Sequence, residues 1–343
     1  MKLLLVNTGA ILQGVLFAKV LCNFFDIELL DDNTKIKLPY DCGFDIEKDR
    51  PKFIPAKKSK FDFDIVLGTD HGSLYYLDLI KKKFPEVMVG VQILDYPYHC
   101  IDINNVAYNE NVKNDWEVWK KLLCFLDFYI INRVNSRYYL KDILNQKPNI
   151  DLLYPCFTMD TNNYSDENII VNSGRINLDK RIDLTIRALG AANFDGEFII
   201  VSSINERTID YSDLAKKCNV KYKVINNLSE RDKFDLYSRS SFLISSHYSY
   251  ALPLCIGQGM SIGKNSISFE GNEEDRNCYG EYIEYANGNF ETFVNLIKKL
   301  INDKEYREKN KEKRINYFNK NYTYDIWADK IYNFVKRIYD TFI

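Results

Sequence analysis

Short apolar runs and amphipathic helices alternate along this chain, and that alternation limits the folds open to it more than any other feature. Lys2 to Val6 is an apolar run closed by Asn7-Thr8-Gly9, and a helical stretch from about Ile11 to Phe25 follows. Further strands are predicted at Asp26 to Leu30, Asp62 to Gly68, Val87 to Ile93, Phe128 to Ile131 and Ile150 to Tyr154. Helices are predicted from about Ser73 to Lys83 and from Trp116 to Leu126, while Ile36 to Lys60, with Pro39, Pro51 and Pro55, reads as irregular. The alternation then starts again. Strands are expected at Asn168 to Ser173, Glu197 to Ser202, Lys221 to Ile225, Phe242 to Ser245 and Ser266 to Phe269. Helices are expected at Asp183 to Leu189, Arg231 to Ser238, Gln258 to Ile262, Phe290 to Ile301 and Tyr324 to Phe342.

Two successive βαβ series predict two doubly wound α/β domains. The 343 residues suit about two domains of ordinary size. The polar stretch Thr161 to Glu167 places the boundary: residues 1–162, then 163–322, then a helix at 323–343 that packs back toward the first domain. In such folds ligands bind outside the carboxyl ends of the strands, so the expected site is the interdomain cleft. The 46% apolar content supports real cores and excludes wholesale disorder. With 46 Lys and Arg against 48 Asp and Glu, a generally basic nucleic-acid coat is not expected. The eight cysteines form no C-x-x-C pair, which favours a reduced, cytoplasmic protein over a zinc or disulfide framework. His71, His99 and His247 are too dispersed to suggest a metal site. No stretch approaches the ~20 apolar residues of a membrane span.

The sharpest local feature is Asn172 to Asp183, NSGRINLDKRID. A strand delivers Gly174-Arg175, and Lys180 follows just before a helix. Gly174 permits close backbone approach, Arg175 can grip phosphate oxygens in a bidentate fork, and Lys180 adds a compact charge. Beside a helix N-terminus this makes an anion pocket suited to a diphosphate, the alternative being an exposed turn with solvated charges. Gly14 opens the first helix, either as a second point of close backbone approach or as a packing glycine. Asp95, His99 and Asp70-His71-Gly72 follow strand ends on the predicted cleft rim. Arg50 to Lys60 is a basic loop, read either as solvated or as a contact for an anionic acceptor or membrane surface. The charged run Lys304 to Arg314 reads as an exposed helix face.

The pattern G-R-x(4)-K-x-x-D at Gly174, Arg175, Lys180 and Asp183 resembles the donor-diphosphate motif of retaining GT-B glycosyltransferases of family 4. Other segments are similar to that family in the same order: Leu153 to Thr161, Asp235 to Ser246, Gln258 to Lys264 and the helix from Tyr324 to Tyr339. Val89 to Tyr98 resembles a first-domain segment of the family. The resemblance implies two Rossmann-like domains, acceptor on the first and nucleotide sugar on the second. It implies sugar transfer from a UDP- or GDP-linked donor, with retention and without metal or further cofactor, to a glycan, lipid-linked or protein acceptor. It assigns Arg175 and Lys180, with Asp95 and His99 on the acceptor side, to catalysis. Gly14, Gly174, Arg175, Lys180, Tyr248, Ser249, Tyr250, Leu252 and Gln258 would contact the donor. A cytoplasmic protein, with peripheral contact to an anionic membrane as an option, would follow.

The chain also departs from the family. The two glutamates of its E-x(7)-E motif are missing, with Gln258 at the ribose-binding position and Tyr248, Ser249 or Tyr250 at the other. The glycine pair usual after the second strand of the nucleotide domain is Ser202-Ser203 here. An amide still hydrogen-bonds a hydroxyl but carries no charge. Two alternatives therefore stand beside the transferase: a catalytically degenerate GT-B protein that binds nucleotide sugars or glycans, and another GT-B enzyme such as an epimerase or a phosphorylase.

Overall fold

The computed structural model describes residues 2–7, 17, 20–22, 24–31, 61–69, 71–93, 118, 120–131, 140–151, 164–174, 176, 180–202, 209–247, 254–271 and 282–342. The chain divides into two compact units, one made of Met1–Tyr154 with Asp325–Ile343, the other of Pro155–Tyr324.

The first unit holds strands β1 (Lys2–Asn7), β2 (Asp26–Asp31), β3 (Ile65–Gly68), β4 (Met88–Ile93), β5 (Phe128–Ile131) and β6 (Asn149–Asp151). They pair in parallel in the order β2-β1-β3-β4-β5-β6. Helix α1 (Leu74–Lys83) and the short α2 (Lys141–Leu144) lie among them in sequence. Parallel strands covered on both faces read as unbroken apolar runs, and β3, β4 and β5 are buried at every residue. A 3-10 turn, His71–Ser73, leads from β3 into α1. Gly68 is needed there, because a Cβ would sit 2.0 Å from Ser73 Oγ.

A helix from the far end of the sequence, Tyr324–Phe342, carries residues that complete this unit. Its stripe buries Trp327, Ile331, Phe334, Val335 and Ile338. The Trp327 ring meets Phe17 edge-on at 5.1 Å, and Phe334 meets Phe128 at 5.9 Å.

The second unit holds β7 (Ile169–Ser173), α3 (Ile182–Ala191), β8 (Glu197–Ser202), α4 (Ser212–Lys217), β9 (Lys221–Asn226), α5 (Glu230–Arg239) and β10 (Phe242–Ser245). It continues with α6 (Leu254–Ser261), β11 (Asn265–Ser268), β12 (Glu284–Tyr285), α7 (Phe290–Asn302), α8 (Lys304–Lys309) and α9 (Lys311–Asn321); the helix Tyr324–Phe342 is α10. All six strands are parallel, in the order β12-β11-β10-β7-β8-β9. On the apolar face of α7, Phe293, Val294, Ile297 and Leu300 are buried, while Phe290, at the helix start, is left 40% exposed.

The charged run 304–314 is a correction. It forms α8 and the start of α9, and two of its cations are buried rather than solvated, Arg307 at 8% and Arg314 at 2% exposure. Arg307 Nη2 donates to Asp166 Oδ2 at 2.6 Å. Arg314 donates from Nε to the Gly263 carbonyl and from Nη1 to Asn265 Oδ1, each at 2.9 Å. Buried guanidinium groups are tolerated when their fork is met in this way.

Candidate functional site

In a doubly wound sheet the strand order reverses at one place, and ligands bind outside the carboxyl ends there. In the second unit that place lies between β7 and β10. Their register pairs Phe242 with Ile170 and Leu243 with Val171, which carries Ser245 level with Ser173.

From β7 the chain enters Gly174, whose φ of 150° is a conformation that favours glycine. Its N–H still donates to the Val201 carbonyl at 2.9 Å, so the backbone leaves the sheet only after this residue. Among the described residues, Lys180 Cε would lie 3.9 Å from a Cβ at Gly174. Glycine and lysine of the predicted motif therefore stand side by side.

Lys180 is held from two directions. Its successor Arg181 adopts a left-handed conformation, φ 47°, and caps α3. Ser246, just past β10, reaches the Lys180 and Arg181 carbonyls with its Oγ at 2.9 and 2.7 Å, and the Thr185 hydroxyl lies 2.7 Å from that Oγ. The Arg181 guanidinium pairs with Glu270 at 3.4 Å and lies over the Phe269 ring. At the centre, Lys180 Nζ stands 2.7 Å from His247 Nε2. An ammonium offers only donors, so this imidazole nitrogen accepts.

Below this frame lies α6. Burial pushes the Cys255 thiol pKa up, against a lowering backbone hydrogen bond from Ser173, which places the start of α6 against the end of β7. Gln258 is buried, and its Nε2 faces Glu230 Oε2 at 3.4 Å, a long hydrogen bond. The other oxygen of Glu230 accepts from Lys233 Nζ at 2.6 Å.

Of the predicted site residues, the structure brings Gly174 and Lys180 together and places Gln258 on α6. Gly14, Asp95, His99, Arg175, Tyr248, Ser249, Tyr250 and Leu252 lie outside the described residues. Sequence reasoning passed over His247 and Glu230. His247 was legible only through its place two residues beyond a predicted strand end. Glu230 sits one residue before the predicted helix and shows itself only through Gln258. Among the described residues, no three His, Cys, Asp or Glu side chains are grouped so as to hold a metal ion.

Residues 158–317 match the family model of glycosyl transferases group 1. None of the curated protein sequences matches the chain. Among solved structures, sucrose-phosphate synthase from Thermosynechococcus elongatus superimposes with a TM-score of 0.77 at 12% identity, covering 99% of this chain and 100% of that one. A trehalose-6-phosphate synthase, analysed for glycosyl transfer with retention, gives 0.69 at 10% identity over 98% and 99%. A single-residue mutant of S. aureus TarM, in complex with Fondaparinux, alpha-GlcNAc-glycerol and UDP, gives 0.60 at 14% identity, covering 79% of this chain and 55% of that one. The fold is thus GT-B in type, two parallel-sheet Rossmann-like units. The group 1 match lies within the second unit, and the solved structures show the fold.

Proposed function

We propose that this chain transfers a sugar from a nucleotide-diphosphate donor, UDP- or GDP-linked, to a glycan, lipid-linked or protein acceptor. The observation that carries the reading is the Lys180 ammonium beside Gly174 at the β7/β10 switch point, where a diphosphate finds both close backbone and positive charge. Arg175, next to Gly174 in sequence, would add a bidentate grip. These side chains offset the charge that grows on the leaving diphosphate, the task that falls to a metal ion elsewhere. The leaving phosphate oxygen can accept the acceptor's proton, so the protein chiefly positions the reactants. Retention is part of the proposal, and the retaining trehalose-6-phosphate synthase of the same fold lends it support. So does the UDP bound by TarM for the class of donor.

The test is calorimetry with UDP-, GDP- and ADP-sugars on the wild type and on Lys180→Ala. Binding that Lys180→Ala weakens supports the reading. If no sugar nucleotide binds, or if the substitution changes nothing, the donor assignment fails.

One observation favours a second reading, a binding module without turnover. Gln258 presents an amide where the family's ribose-binding glutamate would stand, and that amide is engaged with Glu230. A turnover screen with several acceptors separates the two, since robust turnover lost in Arg175→Ala removes the binding-only reading.

A further inference from the structure

We propose that His247 takes up a proton when the donor diphosphate binds, changing from the acceptor that holds Lys180 into a second cation facing the phosphates. This rests on the sugar-nucleotide reading above. His247 is 8% exposed, so bulk water does little to solvate its ring. Its Nε2 lies 2.7 Å from the Lys180 ammonium, and an acceptor nitrogen at that place requires the neutral ring with its proton on Nδ1. A diphosphate diester brings two negative charges to the same spot. Phosphate oxygens then accept the Lys180 protons, and the Nε2 lone pair loses its donor. Opposite charge within about 4–6 Å favours the protonated imidazole. The proton comes from solvent and returns to it on release; no other bond changes.

Lys180 is a charge in direct contact with the ring, and titratable groups on the neighbouring described elements have their own surroundings. Arg181, beside Lys180, is paired with Glu270. On α6, burial holds the Cys255 thiol in its neutral form. On α5, Lys233 is paired with Glu230. Ser246, adjacent to His247, also donates to the consecutive Lys180 and Arg181 carbonyls, so Lys180 and His247 are held in register with one another.

The experiment measures the Kd and proton uptake of UDP-glucose, GDP-mannose and ADP-glucose by calorimetry, between about pH 6 and 8.5, in buffers of different ionisation enthalpy. Their diphosphates are diesters and do not titrate in that range. For a nucleotide that binds, the wild type is expected to take up as much as one proton, and its affinity to fall up to about tenfold per pH unit. His247→Gln keeps an acceptor for Lys180 but cannot titrate; it should still bind, without proton uptake and without the slope. A wild-type affinity that is flat with pH, or equal uptake in His247→Gln, overturns the inference and leaves the sugar-nucleotide reading standing. Failure of all three nucleotides to bind overturns both. An NMR titration of the wild type, whose sequence has three histidines, supplies a readout independent of the variant's folding. The His247 pKa should rise on nucleotide binding, and an unchanged value sinks the proposal.

Discussion

The two sheets share a layer plan and differ at the point where their strand order reverses. In the first unit that point lies between β1 and β3. Among the described residues it holds neutral groups: Thr69 Oγ1 donates to Asn7 Oδ1 at 2.7 Å, with both residues buried. In the second unit the point between β7 and β10 carries Lys180 and His247 in contact. The same backbone solution can therefore present a neutral or a cationic face, and the choice lies in a few residues just past the strand ends. On the proposed function, the anionic donor would bind the second unit at that cationic point.

The division into units can be broken most forcefully by removing residues 325–343. That removes five side chains now buried on α10, Trp327, Ile331, Phe334, Val335 and Ile338, and uncovers the surface they pack against. At about 1.5–3 kcal/mol each, the loss is on the order of 10 kcal/mol, comparable to the whole stability of a typical domain. Hydrogen exchange should then show β1 and β3 unprotected while β7 and β10 stay protected. Protection persisting in β1 and β3 would refute the assignment of α10 to the first unit.

Asp166→Ala is the next largest. It leaves Arg307 buried without its carboxylate partner and should cost about 3–5 kcal/mol, read by urea denaturation. The loss should be confined to the second unit, and a variant as stable as the wild type would return Arg307 to the status of a spectator.

The contrast between the switch points themselves is tested by a pair of variants. Lys180→Ala should weaken sugar-nucleotide binding roughly tenfold to hundredfold, from the ~1.5–3 kcal/mol of a hydrogen bond to a charged group. Thr69→Val, at the neutral switch point, should leave it unchanged. Equal effects from the two would erase the distinction.

The smallest effect concerns Lys264 of the second unit. Burial lowers its pKa from 10.5 to about 8, although its ammonium donates to the Ser165 and Ser240 carbonyls. A base whose folded pKa is depressed binds fewer protons folded than unfolded between the two values. Stability should therefore rise with pH from about 8 toward 10, by about 1–2 kcal/mol over the first unit and a half. Above about pH 10 Tyr164, whose pKa is raised by desolvation and by the Glu308 carboxylate, acts in the opposite sense. Denaturation at two pH values compares the wild type with Lys264→Met, which should lack the rise; identical slopes would remove Lys264 as its source.

Much of this fold was legible because buried parallel strands leave a plain mark. Phe128–Ile131, Glu197–Ser202 and Phe242–Ser245 are found with the bounds that their apolar runs predict. Lys180 was legible through its spacing from Gly174. What escaped depended on partners far away in sequence. His247 acquires meaning only through Lys180, 67 residues earlier. Arg307 and Arg314 read as solvent-facing until Asp166, Gly263 and Asn265 are brought to them. Helix α4 has six residues, too few for a clear periodicity, and α6 starts at Leu254, four residues before the predicted Gln258, because Leu254 to Gly257 carry no capping signal.

The placement of α10 has a consequence for how the chain is made. Residues 1–154 leave the ribosome well before the segment that completes their core, because residues 155–324 are synthesised in between. At about 5–20 residues per second that delay is roughly 10–40 seconds, during which the surface destined for Trp327 and Phe334 stays uncovered. The second unit, contiguous in sequence, can begin to fold as it is made in that interval. The first half of the chain to be born is thus the last to be finished.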